Sequence, residues 1–335
     1  MKALMITAPN QAEVWEVPNP VAVPGEVIVD VKRAGICGTD IEFFTGEMSY
    51  LHDGFAKLPM SIGHEWMGVI SAVGDGVDKS WIGKRVTGDT MLGCGKCRRC
   101  KSGLQHVCEF RFEIGIRGGR PGGLAEQIPV PVSALHVLPD SINETAGALV
   151  EPGGNAFRSV QAANLKSGER VLITGAGTIA LLCAMFAKAQ GAEVHLLGRS
   201  ERSRKFAQSM GFDETWSEAD LPELPWDAVI EASNAQPLPA KAVDLVEPGR
   251  RVVYIGLSVE PSLVDSRKIA LKDVTAVGIL SASPGLAGTI KSFAAGEVDP
   301  TPLVAKTVSL EEMPAILAGE RPAGSGAGPK FHCAM

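Results

Sequence analysis

The sequence predicts an α/β chain in two parts, a β-rich portion of short antiparallel strands followed by a doubly wound parallel sheet. Three observations carry this. The first 35 residues alternate apolar and polar side chains, as in Val27-Ile28-Val29-Asp30-Val31, with Pro18, Pro20 and Pro24 breaking the runs. The stretch from Val171 to Gln190 reads as an apolar strand, a glycine turn and a helix. Beyond it, strand candidates at 193–197, 228–233, 251–256 and 274–280 alternate with helical stretches such as 240–246. At 335 residues the chain is longer than one hydrophobic core usually serves, in keeping with two domains.

Composition narrows the function classes. No apolar run reaches the roughly 18 residues of a membrane helix, and the N-terminus shows no export signal, so a cytoplasmic protein is expected. A net charge of −6 argues against nucleic acid or an anionic membrane as the main partner and leaves a small molecule. Seven cysteines in such a chain point to metal rather than disulfides, because Cys94, Cys97, Cys100 and Cys108 fall within 15 positions.

Taken in order, Gly35-Ile36-Cys37-Gly38-Thr39-Asp40 ends a strand and starts a helix. With Gly63-His64-Glu65 it supplies a thiolate, an imidazole and a carboxylate, ligands that Zn²⁺ accepts while keeping one position open for substrate. Neighbours on a regular strand face opposite ways, so His64 and Glu65 both reach a metal only on irregular backbone. Glu151, before Pro152, therefore competes with Glu65 for the third place. Strands resume at 69–74 and 84–86. From about 93 to 109 the two overlapping Cys-x-x-Cys spacings and a fourth thiol form a closed tetrathiolate zinc site, with a disulfide pair or an iron–sulfur cluster as the alternatives. Lys96, Arg98, Arg99 and Lys101 offset its negative charge, and His106 is expected at the surface. Arg117 and Arg120 follow in a glycine-rich turn, either reaching a polar substrate or simply solvated. Ser141 with Glu144 reads as a capping box for the next helix, and the tract from Arg321 to Lys330 is expected to be disordered.

The turn Gly175-Ala176-Gly177-Thr178-Ile179-Ala180 matches a dinucleotide-binding pattern with alanine in place of the third glycine. Gly175 permits the turn, Gly177 lets backbone approach a pyrophosphate, and the helix N-terminus faces the phosphates. The end of the next strand decides the cofactor. An NAD-preferring turn carries Asp or Glu there for the ribose 2′-hydroxyl, whereas this chain has Gly198-Arg199-Ser200 with Arg202 and Arg204 close behind, so NADP is favoured over NAD. Ligands lie beyond the carboxyl ends of such strands, which places Ser233, Leu257, Ile279 and Leu280 near the nicotinamide. His195, within its strand, is expected in the core.

These motifs occur in the order seen in zinc-dependent medium-chain alcohol dehydrogenases. Over nearly its whole length the sequence resembles their polyol, sugar and threonine dehydrogenase branch. The resemblance implies a GroES-like catalytic domain of residues 1–152 and 284–335 and a Rossmann domain of residues 153–283, with the boundary near Glu151 to Asn155. It implies one catalytic and one structural zinc, a homodimer or homotetramer, and hydride transfer between NADP(H) or NAD(H) and a secondary alcohol or polyol-like substrate, or its carbonyl. In that reaction the Thr39 hydroxyl takes the alcohol proton, Asp40 orients the ligands, and His52 is a candidate end of the proton relay. Phe43, Phe44, Trp66, Met91 and Leu92 are candidates for an apolar substrate pocket. One departure is Glu151-Pro152-Gly153-Gly154 where the family often has Glu-Pro-Leu-Ala. A zinc-free enone reductase of the same fold and a non-catalytic zinc-stabilised protein are the rival readings.

Overall fold

A computed structural model describes residues 1–335. The chain divides into two units, Met1–Glu151 with Leu303–Gly326 and Lys330–Met335, and Pro152–Pro302 with Ala327–Pro329.

The first unit is built on a seven-stranded sheet ordered Leu135–Val137, Arg85–Gly88, Glu65–Val73, Glu26–Gly35, Lys330–Ala334 and Val304–Val308, with Gln127–Pro131 also pairing Glu26–Gly35. All these pairs are antiparallel except Lys330–Ala334 with Val304–Val308, so the chain's last strand lies beside one of its first. Leu4, Ile6, Val29, Phe43, Trp66 and Ile128 are fully buried in one apolar cluster with Phe331. Phe43 and Trp66, two of the candidates for an apolar pocket, are fully buried in this core, where their rings leave water among Val and Ile side chains.

The second unit is a six-stranded parallel sheet ordered Thr215–Trp216, Glu193–Leu197, Arg170–Thr174, Trp226–Glu231, Val246–Tyr254 and Thr275–Gly278. Strand order reverses between Arg170–Thr174 and Trp226–Glu231, the crevice where such sheets take their ligands. The chain returns to the first unit at Leu303 and not at 284, because the helix Leu286–Ala294 packs within the second. Its Phe293 stacks on Phe186 at 5.9 Å, and Phe186 meets Phe157 edge-on at 5.4 Å. The two glycines at 153 and 154 make that packing fit: a Cβ on Gly153 would lie 2.6 Å from Thr289 Cγ2, and one on Gly154 2.8 Å from Ala282 Cβ.

Three local expectations are corrected. The helix Glu144–Ala148 is capped by Asn143, whose side chain accepts from the Ala146 N–H at 2.8 Å, and not by Ser141. Asn is as strong a cap as Ser and sits where the helix begins. His106 is buried, since the short turn Gln105–Val107 points its ring inward. The tract 321–330 is folded: the Arg321 guanidinium stacks over Phe331 at 4.8 Å, and Lys330 opens the strand Lys330–Ala334. His195 is in the core as expected, its Nδ1 accepting from Trp216 Nε1 at 3.1 Å and its Nε2 bonded to Glu193 at 2.8 Å.

Candidate active site

The first unit brings Cys37, His64 and Glu65 together, with their ligand atoms all within 4.8 Å of one another. Cys37 follows the strand Glu26–Gly35 and precedes the helix Gly38–Thr45. Its backbone N–H donates to Asp40 Oδ2 at 2.8 Å, which ties the helix start to the cysteine. The irregular backbone demanded by adjacent ligands comes from Gly63, held at φ +97°. Only glycine adopts that conformation readily, and a Cβ there would meet the Leu124 backbone nitrogen at 2.7 Å. The strand begins one residue beyond His64, so imidazole and carboxylate are freed from the alternation of a regular strand.

Asp40 binds the two ligand-bearing segments to each other. It is fully buried, and its Oδ1 accepts from the Gly63 N–H at 3.1 Å while lying 3.7 Å from His64 Nδ1. Burial alone would lower the proton affinity of His64, but Asp40, the Cys37 sulfur and the Glu151 charge outweigh it and hold the imidazole well above its ordinary value. A field that favours a proton there favours a divalent cation equally. Together with a thiol, an imidazole and a carboxylate in reach of each other, it fits zinc. Glu151 is buried and contributes to this field, but its carboxylate lies outside the cluster of three. Thr39 is half-buried in the first turn of the same helix. His52 is exposed, and its Nε2 donates to the Gly46 carbonyl at 3.0 Å.

One residue at the site was missed. Lys330 Nζ donates to Glu65 Oε1 and Oε2 at 2.7 and 2.6 Å and to the Ile36 carbonyl at 2.7 Å, with Lys330 4% and Glu65 1% exposed. The sequence signal was a lone lysine at the head of the apolar run Phe331-His332-Cys333, since a charge in a buried strand calls for a partner.

The four-cysteine lobe is self-contained. Cys94, Cys97, Cys100 and Cys108 present their sulfurs within 4.8 Å of one another, and Cys97 caps the short helix Arg98–Lys101. The Lys96 and Cys97 backbone N–H groups pull the Cys94 thiol down to about 6, while desolvation and the neighbouring sulfurs push Cys100 up to about 12. Four thiolates therefore need a cation to coexist. Lys96, Arg98, Arg99 and Lys101 are exposed, and Arg99 pairs with Glu109 at 3.1 Å. The glycine-turn arginines are committed elsewhere: Arg120 to Glu26 at 2.8 Å, and Arg117 over the Phe55 ring at 3.8 Å.

In the second unit the helix Thr178–Ala189 starts at the glycine turn, with Ile179 in its first turn. Gly175 has φ +112°, and a Cβ there would lie 2.8 Å from the Ala232 carbonyl oxygen, whereas the space at Gly177 is open. That contrast is what a ligand-binding turn requires: one glycine for the bend, one for access. Gly198 ends its strand, and a Cβ on it would meet Arg204 Cγ at 2.7 Å. Arg204 Nη1 donates to the Gly198 and Arg199 carbonyls at 2.9 and 3.0 Å, the Ser200 hydroxyl caps the helix Glu201–Ser209, and Arg199 is exposed. Ser233 is held by the buried Glu231, Ile279 is half-buried, and Leu257 and Leu280 are exposed.

The description "Alcohol dehydrogenase GroES-like domain" matches residues 23–140, and "Zinc-binding dehydrogenase" matches residues 178–295. L-threonine 3-dehydrogenase from Sinorhizobium fredii is 32% identical over 292 residues, 83% of each chain. Starvation-sensing protein RspB from Escherichia coli is 31% identical over 285 residues, 82% of each chain. A protein described as a short chain alcohol dehydrogenase (rspB) from E. coli CFT073, solved with NADH, superposes with a TM-score of 0.90 at 27% identity, covering 100% of this chain and 99% of the other. A protein described as a zinc-binding dehydrogenase from Sinorhizobium meliloti 1021, bound to NADP, gives 0.89 at 26% with the same coverage. Galactitol-1-phosphate dehydrogenase from E. coli gives 0.88 at 25%, covering 100% of each chain. Fold and relatives thus define an NAD(P)-dependent oxidoreductase of the alcohol dehydrogenase type. The chain belongs to the zinc-dependent medium-chain dehydrogenase family.

Proposed function

We propose that the protein moves a hydride between a secondary alcohol or polyol-like substrate, or its carbonyl, and NADP(H), using NAD(H) less well, with one catalytic and one structural zinc. The observation that carries this reading is the meeting of Cys37, His64 and Glu65 within 4.8 Å beside the buried Asp40. Zinc bound there supplies Lewis acidity that lowers an alcohol's pKa and polarises a carbonyl. The chain's own residues do the rest. Cys37 and His64 hold the metal, with Glu65 or Glu151 as the third group, and Asp40 fixes both ligand segments through the Cys37 and Gly63 N–H groups. The Thr39 hydroxyl takes and releases the proton. His52 stays the candidate end of that relay, since its Nε2 donates to the Gly46 carbonyl and leaves Nδ1 to accept a proton.

Cys94, Cys97, Cys100 and Cys108 hold the structural zinc. In the second unit Gly175, Gly177, Thr178 and Ile179 receive the pyrophosphate, Arg199 meets the 2′-phosphate, and Ser233, Leu257, Ile279 and Leu280 flank the nicotinamide. The relatives' substrates, threonine and galactitol 1-phosphate by name, support a secondary alcohol that carries further polar groups. Metal analysis together with an alcohol and ketone panel run with both nucleotides tests the reading. Two zinc ions per chain and alcohol turnover preferring NADP are expected. A single lobe zinc with enone reduction would refute it.

A further inference from the structure

One turn of the second unit holds a backbone conformation that its residue type disfavours. Ser281, just beyond the strand Thr275–Gly278, has φ +73°, in the left-handed region that residues with a side chain rarely adopt. We infer that Arg158 is a positioning residue that clamps this turn and so fixes the segment Ile279–Ser281 against the nicotinamide half of the cofactor; this rests on the cofactor placement proposed above.

Arg158 lies on the helix Val150–Ala163, within the same unit as the turn. Its Nη1 donates to the Leu280 carbonyl at 2.5 Å and also to the Ser281 carbonyl. Two consecutive peptide planes are thereby held by one charged group, through bonds about twice as strong as neutral ones. In a trans peptide the N–H points opposite to the C=O. The Ser281 and Ala282 N–H groups are therefore turned away from the arginine, and neither donates to another group of the protein. The Ser281 side chain completes the clamp. Its Oγ lies 2.9 Å from Ser283 Oγ and accepts from the Ser283 N–H at 3.1 Å, with both serines buried. A disfavoured conformation persists where the surroundings over-determine it, and such residues gather at ligand clamps.

Close packing brings the turn within the arginine's reach. Gly154 and Arg158 stand one helical turn apart on the same face. A Cβ on Gly154 would lie 2.8 Å from Ala282 Cβ, and one on Gly285 would lie 2.9 Å from Arg158 Cγ. Gly154, where the family often has alanine, is thus matched to the arginine four residues on. Without the clamp Ser281 is free to leave the left-handed region, and the peptides on either side of it rotate. The adenosine end of the cofactor, assigned to Gly175 and Arg199, does not meet this turn.

Full-length, zinc-loaded protein is titrated with NADPH and, separately, with 2′-phospho-ADP-ribose, which keeps the phosphates and adenosine but has no nicotinamide. Arg158→Met is expected to weaken NADPH binding about tenfold, as for the loss of one bond to a charged donor, and to leave the nicotinamide-free probe within about twofold. Arg158→Lys, with a compact ammonium in place of the planar fork, should recover part of that loss. Equal weakening of both ligands, or unchanged NADPH binding, would overturn the inference. Should Arg158→Met fail to fold, Arg158→Lys decides: a loss of about threefold or more confined to NADPH supports the clamp, and any other result overturns it. Leu280→Asp separates this inference from the cofactor placement beneath it. If that charge leaves NADPH binding unchanged, the nicotinamide does not lie beside Leu280 and the placement itself has failed. If it weakens NADPH alone while Arg158→Met does not, only the clamp has failed.

Discussion

The two cysteine-bearing sites of the first unit are built in opposite ways. The lobe gathers Cys94, Cys97, Cys100 and Cys108 from one short segment, and its ligands are brought together by a single turn of helix and the loop after it. The Cys37 site gathers its parts from the end of one strand, the start of another and the head of the last strand, with Lys330 and Glu65 separated by 265 residues. A local site is stabilised by what it binds, whereas an assembled site is stabilised by the fold around it.

That contrast is open to direct challenge. The largest effect is expected from Cys37→Ser, which should cut kcat/KM by about a thousandfold or more through loss of Lewis-acid assistance while leaving the melting temperature nearly unchanged. Cys97→Ser should do the reverse, removing the lobe metal and costing about 3 kcal/mol or more of stability, or roughly 4 °C in melting temperature for a chain of this size. If Cys97→Ser left thermal unfolding untouched, the lobe would not be the self-stabilised site described. Gly63→Ala sharpens the comparison, because it forces a side chain into the left-handed region against Leu124. It should cost about 2 kcal/mol and lower metal content at the Cys37 site alone. In the second unit, Arg199→Ala should raise KM for NADP about tenfold and leave NAD unaffected.

The smallest effect concerns His332, which is fully buried beside Gly35 with neither ring nitrogen bonded, and whose pKa burial and the Lys330 and Arg33 charges push down to about 3. The unfolded chain takes up this proton near pH 6.5 and the folded one does not, so the protein loses stability as pH falls through that value. The loss is about 0.8 kcal/mol at pH 6. Chemical denaturation of His332→Phe should show a correspondingly flatter dependence between pH 7 and 5.

Legibility in the sequence follows the same division. The lobe could be read from spacing, and the Gly175 turn from its neighbours, because each is local. Cys37, His64 and Glu65 could be read as ligand types, and the need for irregular backbone beside His64 could be stated, but Gly63 as its source could not. Lys330 was hidden because its tract is rich in Gly, Ser and Pro and was read as disordered. Arg321 over Phe331 and the pairing of Lys330–Ala334 with Glu26–Gly35 fix it through contacts that no local pattern contains. The return to the first unit at Leu303 was misplaced for a similar reason, since Phe157, Phe186 and Phe293 meet only in three dimensions.

The lateness of Lys330 in the chain has a consequence for biosynthesis. A growing polypeptide can fold the cysteine lobe once Cys108 has left the ribosome, but Glu65 does not meet the Lys330 ammonium until 222 further residues have been made. Any translation product halted before that lysine would carry an unneutralised carboxylate in its interior.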